Sequence, residues 1–103
     1  MRWPIHASGT SSHLIGAEVC DISSRGVFVH PSGDEPLPVE GSRLRLTVFP
    51  YGMGQGVPAV GTVRWTGPSR THRCRGLGIL VEHGGPFSQL KQLAADEAAS
   101  SLG

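Results

Sequence analysis

The strict alternation of apolar and polar residues over positions 43–48 constrains the fold more than any other feature of the sequence. Leu44, Leu46 and Val48 occupy every second position, with arginine or threonine between them. A period of two is typical of a β-strand that has one buried face and one face in water. Pro50 follows and ends the run, because proline cannot donate to a strand ladder. The chain is therefore built at least partly from sheet.

The glycine and proline content extends this prediction to most of the chain. The 103 residues include 15 glycines and 8 prolines, and few stretches show helical periodicity, which favours short strands joined by tight turns. A chain of this length forms one domain with a single core. Strands are expected over residues 3–8, 13–20, 27–30, 43–49, 57–65 and 76–82, with polar loops over 31–36 and 67–75.

The C-terminal residues carry the one helical pattern. Pro86 suits the first turn of a helix, and apolar residues then recur at Phe87, Leu90, Leu93 and Ala94. We expect an amphipathic helix over residues 86–100. The remaining chain divides into an N-terminal segment over 1–12, which we expect to be mobile, and a β-barrel over 13–85.

Residues 21–26, Asp-Ile-Ser-Ser-Arg-Gly, concentrate polar chemistry between two predicted strands. A carboxylate such as that of Asp21 accepts two donors from a guanine edge, and serine hydroxyls with turn amides suit phosphate oxygens. A capped β-turn, in which Asp21 and the serines bond their own backbone, explains the same residues and is favoured by these six positions alone.

The order of features around this segment resembles that of the PilZ domain family, whose members include bacterial receptors for cyclic di-GMP. The resemblance covers residues 15–93. Its pieces are the Asp-x-Ser-x-x-Gly motif at Asp21, Ser23 and Gly26, the strand 27–29, the turn 38–42 with the strand at Leu44, Leu46 and Val48, and the strands 61–65 and 76–81.

The resemblance implies a fold: an all-β, small six-stranded antiparallel β-barrel with a C-terminal α-helix. In such a barrel the alternating apolar residues fill the interior and the helix docks through its apolar face. The expected interior residues are Leu44, Leu46, Val48, Val63, Ile79 and Val81, with Phe87 and Leu90 docking the helix.

The resemblance also implies a binding site for cyclic di-GMP. Asp21 would accept from guanine N–H groups, Ser23 would contact phosphate or guanine, and Gly26 would allow close backbone approach. Arg2 would supply a cationic contact, and Arg25 would partly replace a second one.

The family's N-terminal Arg-x-x-x-Arg motif is incomplete in this chain. If Arg2 is the first arginine, the second position holds His6; if Arg2 is the second, the first would precede Met1. Loss of one charged contact costs about 1.5 to 3 kcal/mol, which lowers affinity without abolishing it.

The function that the resemblance implies is that of a non-catalytic receptor. It would bind cyclic di-GMP, order its N-terminal segment over the barrel, and signal through an unidentified protein partner in motility, pilus or exopolysaccharide control. The alternative is a degenerate PilZ module that binds no nucleotide and acts as a protein-interaction adaptor. DNA or RNA binding is disfavoured by the net charge of +1 and the few aromatic residues.

Other patterns point away from membranes, metals and catalysis. No run approaches the roughly 18 to 20 apolar residues that span a bilayer, and no signal-peptide core precedes the first strand, so we expect no membrane insertion and a cytoplasmic location. The five histidines lack metal-ligand spacing, Cys20 and Cys74 are expected to be reduced thiols, and no nucleophile, base and acid combination indicates an enzyme.

Four further features have two readings each. Trp3 and Trp65 suit either base stacking or packing, and packing is favoured. The glycines of residues 52–56 resemble a phosphate cradle, but a strand follows them, which favours a hairpin tip. The basic cluster within 70–75 suits an acidic partner or a phosphate, and a solvated loop is favoured.

Overall fold

The computed structural model of the protein describes residues 2–9, 13–31, 33, 36–52, 54–69, 74–82 and 85–102. Within these residues, six strands and one helix follow each other, with a short 3₁₀ turn at Pro50–Gly52. They are β1 (Trp3–Ser8), β2 (His13–Ile22), β3 (Gly26–His30), β4 (Arg43–Val48), β5 (Val57–Ser69), β6 (Cys74–Val81) and α1 (Gly85–Leu102).

The strands close into a barrel in the order β1-β2-β3-β6-β5-β4, and every neighbouring pair is antiparallel. The prediction of a six-stranded antiparallel barrel with a C-terminal helix is confirmed. Closure depends on β1, in which Ile5 pairs with Ala17 of β2 on one side and with Val48 of β4 on the other. We expected residues 1–12 to be a segment separate from the barrel. Residues 3–8 are instead one of the barrel strands.

The core is mostly aliphatic, and all eight predicted core residues are buried in it, six from the strands and Phe87 and Leu90 from the helix. Alternation explains this directly, since every second residue of a half-buried strand faces inward. Burying one large aliphatic side chain contributes about 1.5 to 3 kcal/mol. The core also holds Trp3, for which packing was favoured over base stacking, and seven residues outside the expected set: Ile5, Ala7, Ala17, Val19, Val27, Val29 and Leu77. No polar or charged residue is buried in the described part of the chain.

The hairpin of β5 and β6 is longer than predicted. Residues 67–75 were expected to form a polar loop, yet the ladder continues through Gly67 opposite Gly76 to Ser69 opposite Cys74. Gly67 has a φ of 123°, which L side chains rarely adopt. Backbone pairing across the hairpin thus outweighs the low strand propensity of glycine and proline in this segment.

Helix α1 packs on the barrel through Phe87 and Leu90, both of which are buried. The Tyr51 hydroxyl donates a 3.0 Å hydrogen bond to the carbonyl oxygen of Leu93, and the Tyr51 ring lies edge-on to Trp3 with centroids 5.2 Å apart. The 3₁₀ turn therefore links the helix to β1. Over the described residues, no helix has the length and apolarity needed to cross a membrane.

Candidate functional site

The segment 21–26 is a hairpin connection whose ends lie on strands. Asp21 pairs with Phe28 and Ile22 with Val27, so both residues belong to β2, and Gly26 begins β3. The interpretation of all six residues as a turn was therefore too broad. The turn itself is residues 23–25, closed by a 2.9 Å hydrogen bond from the Ser23 N–H to the Gly26 carbonyl oxygen.

The Ser23 side chain caps this turn. Its Oγ lies 3.2 Å from the Gly26 amide nitrogen and 3.4 Å from that of Arg25, and it accepts from both N–H groups. The hydroxyl also donates to the Gly26 carbonyl oxygen over 3.3 Å. These hydrogen bonds are the ones expected of a capped β-turn, in which a serine side chain bonds the backbone of its own turn.

Close packing of β3 against β6 explains why residue 26 is a glycine. A Cβ atom at this position would collide with the carbonyl oxygen of Ile79 on the neighbouring strand β6. Only glycine allows the two backbones to approach this closely. The Ser and Gly of the motif are thus explained by the local fold, whereas Asp21 and Arg25 are exposed.

Asp21 lies in a row of four cross-strand neighbours on the outside of the barrel. Asp21 pairs with Phe28, Phe28 with Gly78, and Gly78 with Trp65. We call these four residues the outer row. The row crosses strands β2, β3, β6 and β5, so it places a carboxylate and an indole on one continuous face.

Two β-bulges turn the ends of the outer row outward. The register shifts between Val19 and Asp21 on β2 and between Val63 and Trp65 on β5. Val19 and Val63 are core residues, and residues two apart on a regular strand face the same side. The extra residue in each bulge reverses the facing, so Asp21 and Trp65 lie outside.

The aromatic rings of the outer row pack on glycines. Phe28 and Trp65 are stacked with centroids 5.6 Å apart and ring planes 21° apart. A Cβ at Gly76 would collide with the Phe28 ring, and one at Gly78 with the Trp65 indole. Phe28 is 5% exposed, but 37% of Trp65 is accessible to solvent. The indole thus covers Phe28 and presents the rest of its surface to solvent.

A shallow concavity of about 280 Å³ lies over this region. Four predicted site residues line it: Asp21, Ser23, Arg25 and Gly26. The structure adds Arg64, Trp65 and Leu80 to them. Arg64 and Leu80 were missed because β5 and β6 were assigned only a core role. Trp65 was weighed for stacking, but the bulge that exposes it leaves no sequence signal beyond the disturbed alternation.

Arg2 lies outside this set of lining residues. Its Nε donates to Glu18 Oε2 over 2.9 Å in an exposed ion pair beside β2. His6, which holds the position of the second arginine, lies on β1 and packs edge-on against Phe49 with centroids 5.1 Å apart. In this structure neither residue contributes to the concavity at the outer row.

The other residues considered for ligand binding lie in the core, in a hairpin connection, on β6 or outside the described residues. Trp3 is a core residue, and the glycines of 52–56 lie in the β4–β5 hairpin connection. Of the basic cluster, Arg75 donates to the Gly33 carbonyl oxygen over 3.1 Å, and Arg70, His72 and Arg73 lie outside the described residues.

Neither a disulfide nor a metal site is found where side chains are described. Cys20 and Cys74 are free, and burial, with smaller contributions from Cys74 and Glu18, raises the pKa of the Cys20 thiol. Cys20 is therefore protonated at neutral pH. No group of three His, Cys, Asp or Glu side chains among the described residues is placed to hold a metal.

Comparisons of the chain with protein-family models, curated proteins and solved structures find no significant match. The PilZ resemblance therefore rests on the sequence features given above. The barrel does not decide the question, because small closed barrels serve many unrelated functions. Function has to be argued from the outer row and the residues around it.

Proposed function

We propose that the protein is a non-catalytic receptor that binds cyclic di-GMP over the outer row and signals through a protein partner. The observation that carries this proposal is the placement of Asp21 and Trp65 on one outer face, with Arg25 and Arg64 lining the same concavity. This set combines a carboxylate, an aromatic surface and two guanidinium groups. Cyclic di-GMP presents guanine edges, guanine faces and phosphates, which those three kinds of group recognise.

Trp65 supplies the surface on which a guanine stacks. An indole fixed from behind by Phe28 and Gly78 loses little freedom when a base covers it. Stacking of one base on an aromatic side chain is worth about 1 to 3 kcal/mol. The concavity of about 280 Å³ is slightly smaller than typical ligand pockets of roughly 300 to 1,000 Å³, so it suits one base, with the rest of the ligand lying on the surface.

Asp21 and the two arginines divide the polar recognition between them. Guanine presents N–H donors on its Watson–Crick edge, and a carboxylate accepts two of them at once, whereas adenine has no matching pair of donors. Arg25 and Arg64 provide charge-assisted donors to phosphate oxygens. Asp21 thus determines the choice of base, and the arginines supply affinity that weakens with salt.

Arg2 contributes a further cation for a ligand phosphate when its ion pair with Glu18 breaks. The ion pair is exposed, and such pairs are worth only about 0 to 1 kcal/mol, so a phosphate can compete for the guanidinium. Glu18→Gln should release Arg2 and tighten cyclic di-GMP binding by up to about fivefold, the limit set by a pair worth about 1 kcal/mol or less. Arg2→Ala should remove that gain, and a double-mutant cycle measures it.

The second candidate function is that of a protein-interaction adaptor without a nucleotide. It is favoured by three motif-related residues that already have structural partners: Ser23 caps its turn, Gly26 packs on Ile79, and Arg2 pairs with Glu18. Under this alternative the exposed indole of Trp65 contacts a partner protein.

Calorimetric titration separates the two functions. Cyclic di-GMP should bind the folded protein, and Asp21→Ala should weaken binding by about 10- to 100-fold, as expected for loss of a bidentate base contact. Glu40→Ala, which removes an exposed carboxylate elsewhere, is the matched control and should leave affinity unchanged. Cyclic di-AMP should bind the wild-type protein more weakly than cyclic di-GMP.

The absence of binding heat with cyclic di-GMP at millimolar concentration, from a protein shown to be folded, would reject the receptor and leave the adaptor. Equal affinities for the guanine and adenine dinucleotides would reject the role of Asp21 in base selection.

A further inference from the structure

Two large apolar side chains project into solvent from neighbouring strands of one face of the barrel. Leu80 of β6 is 38% exposed and Trp65 of β5 is 37% exposed. Leu80 pairs with Gly26 on one side and with Thr62 on the other, so its row runs next to the outer row. Scattered apolar residues are ordinary on a surface, whereas an exposed apolar patch rimmed by polar or charged side chains is typical of an interaction site.

Arginines surround this apolar pair. Arg43 of β4 pairs with Thr62, which extends the row of Leu80, and Arg45 lies two residues further on the same outer side of β4. Arg25 and Arg64 line the concavity at the opposite end. We call the outer surface formed by Arg43, Arg45, Thr62, Arg64, Trp65 and Leu80 the β4–β6 face.

Positive charge exceeds negative charge around this face. Glu82 is ion-paired with Arg43 through Oε1 and Nη2 at 2.7 Å, and Asp21 lies at the far end of the outer row. Arg45 lines a second concavity of about 530 Å³ together with Arg43 and Ser8. Arg45 makes no ion pair with any described residue, so its charge is available to a ligand or partner.

We propose that the β4–β6 face docks an acidic segment of a partner protein that also carries an apolar side chain. Tryptophan and arginine are the residues most enriched at the energetic centres of interfaces, and guanidinium groups bind carboxylates in bidentate geometry. The apolar side chain packs on Leu80 and Trp65, and the carboxylates pair with Arg43, Arg45 and Arg64.

A protein partner fits this face better than a nucleic acid does. Asp21 and Glu82 repel a continuous line of phosphates, and a single indole offers no succession of stacking surfaces. The inference rests on the proposed function, since it identifies the surface for the partner. A nucleotide stacked on Trp65 covers one of the two apolar anchors, which couples ligand occupancy to docking.

The test measures fluorescence anisotropy of a labelled peptide in which glutamate alternates with leucine, with no nucleotide present. The wild-type protein should bind this peptide, and should bind neither the version with lysine for glutamate nor that with serine for leucine. Leu80→Ser should weaken binding by about tenfold, as for an interface anchor. Arg43→Ser with Arg45→Ser should weaken it by about threefold or more.

A charge-matched control separates this face from general attraction. Arg2→Ser with Lys91→Ser removes two positive charges outside the β4–β6 face and should leave peptide affinity unchanged. Equal weakening by both pairs, equal binding of the lysine peptide, tighter binding of oligouridine, or no peptide binding at all would overturn the proposal.

The same variants keep the two proposals distinguishable. Arg43 and Arg45 do not line the concavity of the outer row, so their double replacement should leave cyclic di-GMP affinity unchanged. Peptide binding that fails while cyclic di-GMP still binds rejects only the docking surface. The reverse result rejects only the nucleotide site.

Discussion

The two tryptophans occupy opposite sides of the same barrel wall, and their surroundings differ. Trp3 is 2% exposed and packs among the aliphatic core residues, with its Nε1 unpaired among the described residues. Trp65 stacks on Phe28 outside the barrel and keeps more than a third of its surface in water. Burial accounts for Trp3, since the core is where large apolar side chains stabilise a fold.

Burial in the core does not explain why Trp65 and its neighbours lie outside the barrel. Phe28 is buried although it faces outward, because Trp65 covers it and Gly76 and Gly78 leave room beneath the rings. A bulge is needed to place Trp65 there. The comparison teaches that burial explains the interior, whereas it leaves the exposed indole of the outer row unexplained, and for that row we propose recognition. The predictions test this division.

The largest effect is expected in the interior. Leu44→Ala should lower the free energy of unfolding by about 2 to 5 kcal/mol, because the cavity left by a buried leucine fills only partly. Trp65→Ala should cost about 1.5 kcal/mol or less, near the value of one aromatic pair. Urea denaturation measures both. Equal losses would show that the outer row is a second core, and the division would fail.

The contact between the hairpin 21–26 and β6 should give the next largest effect. Gly26→Ala places a methyl group against the Ile79 carbonyl oxygen and should destabilise the protein by about 1 to 3 kcal/mol, as overpacking does. Gly54→Ala is the matched control, because nothing lies within 4 Å of its Cβ position. Thermal unfolding of both variants measures the contrast, and similar melting temperatures would contradict the packing role of Gly26.

A smaller effect is expected where the neighbouring atoms are a side chain. Gly78→Ala should push the Trp65 indole off its glycine at a cost of about 1 kcal/mol. Because Trp65 moves further into water, its fluorescence should shift to the red, and Trp65→Phe should abolish the shift. An unshifted spectrum would show that Gly78 does not position the indole.

The smallest effect is expected at the turn itself. Ser23→Ala should lower the free energy of unfolding by about 0.5 to 1 kcal/mol, since Ser23 is exposed and water can replace part of what its hydroxyl bonds. Cyclic di-GMP affinity should stay within about threefold of wild type if Ser23 only caps the turn. Titration checks this, and a larger loss would place Ser23 in contact with the ligand.

The sequence predicted the interior well because the physical rule there is simple. Alternation in residues 43–48 assigns Leu44, Leu46 and Val48 to one face, and a closed barrel has only one interior for that face. Helical spacing placed Phe87 and Leu90 in the same way. No long-range information was needed for these positions.

The outer row could not be predicted by the same rule. Counting by twos from Val63 places Trp65 inside, and counting by twos from Val19 places Asp21 inside, so alternation gives the opposite face for both. Each bulge depends on its partner strand, which the local sequence does not specify. The motif indicated Asp21. That Trp65 lies in the same row follows only from the pairing of four strands.

Acrylamide quenching of tryptophan fluorescence, with and without cyclic di-GMP, tests most directly whether the outer row is a ligand site. Trp3 is buried, so Trp65 should account for nearly all of the quenching. The account predicts that saturating ligand protects Trp65, and that Trp65→Phe abolishes the ligand-dependent change. Unchanged quenching of the folded protein at millimolar cyclic di-GMP would contradict it.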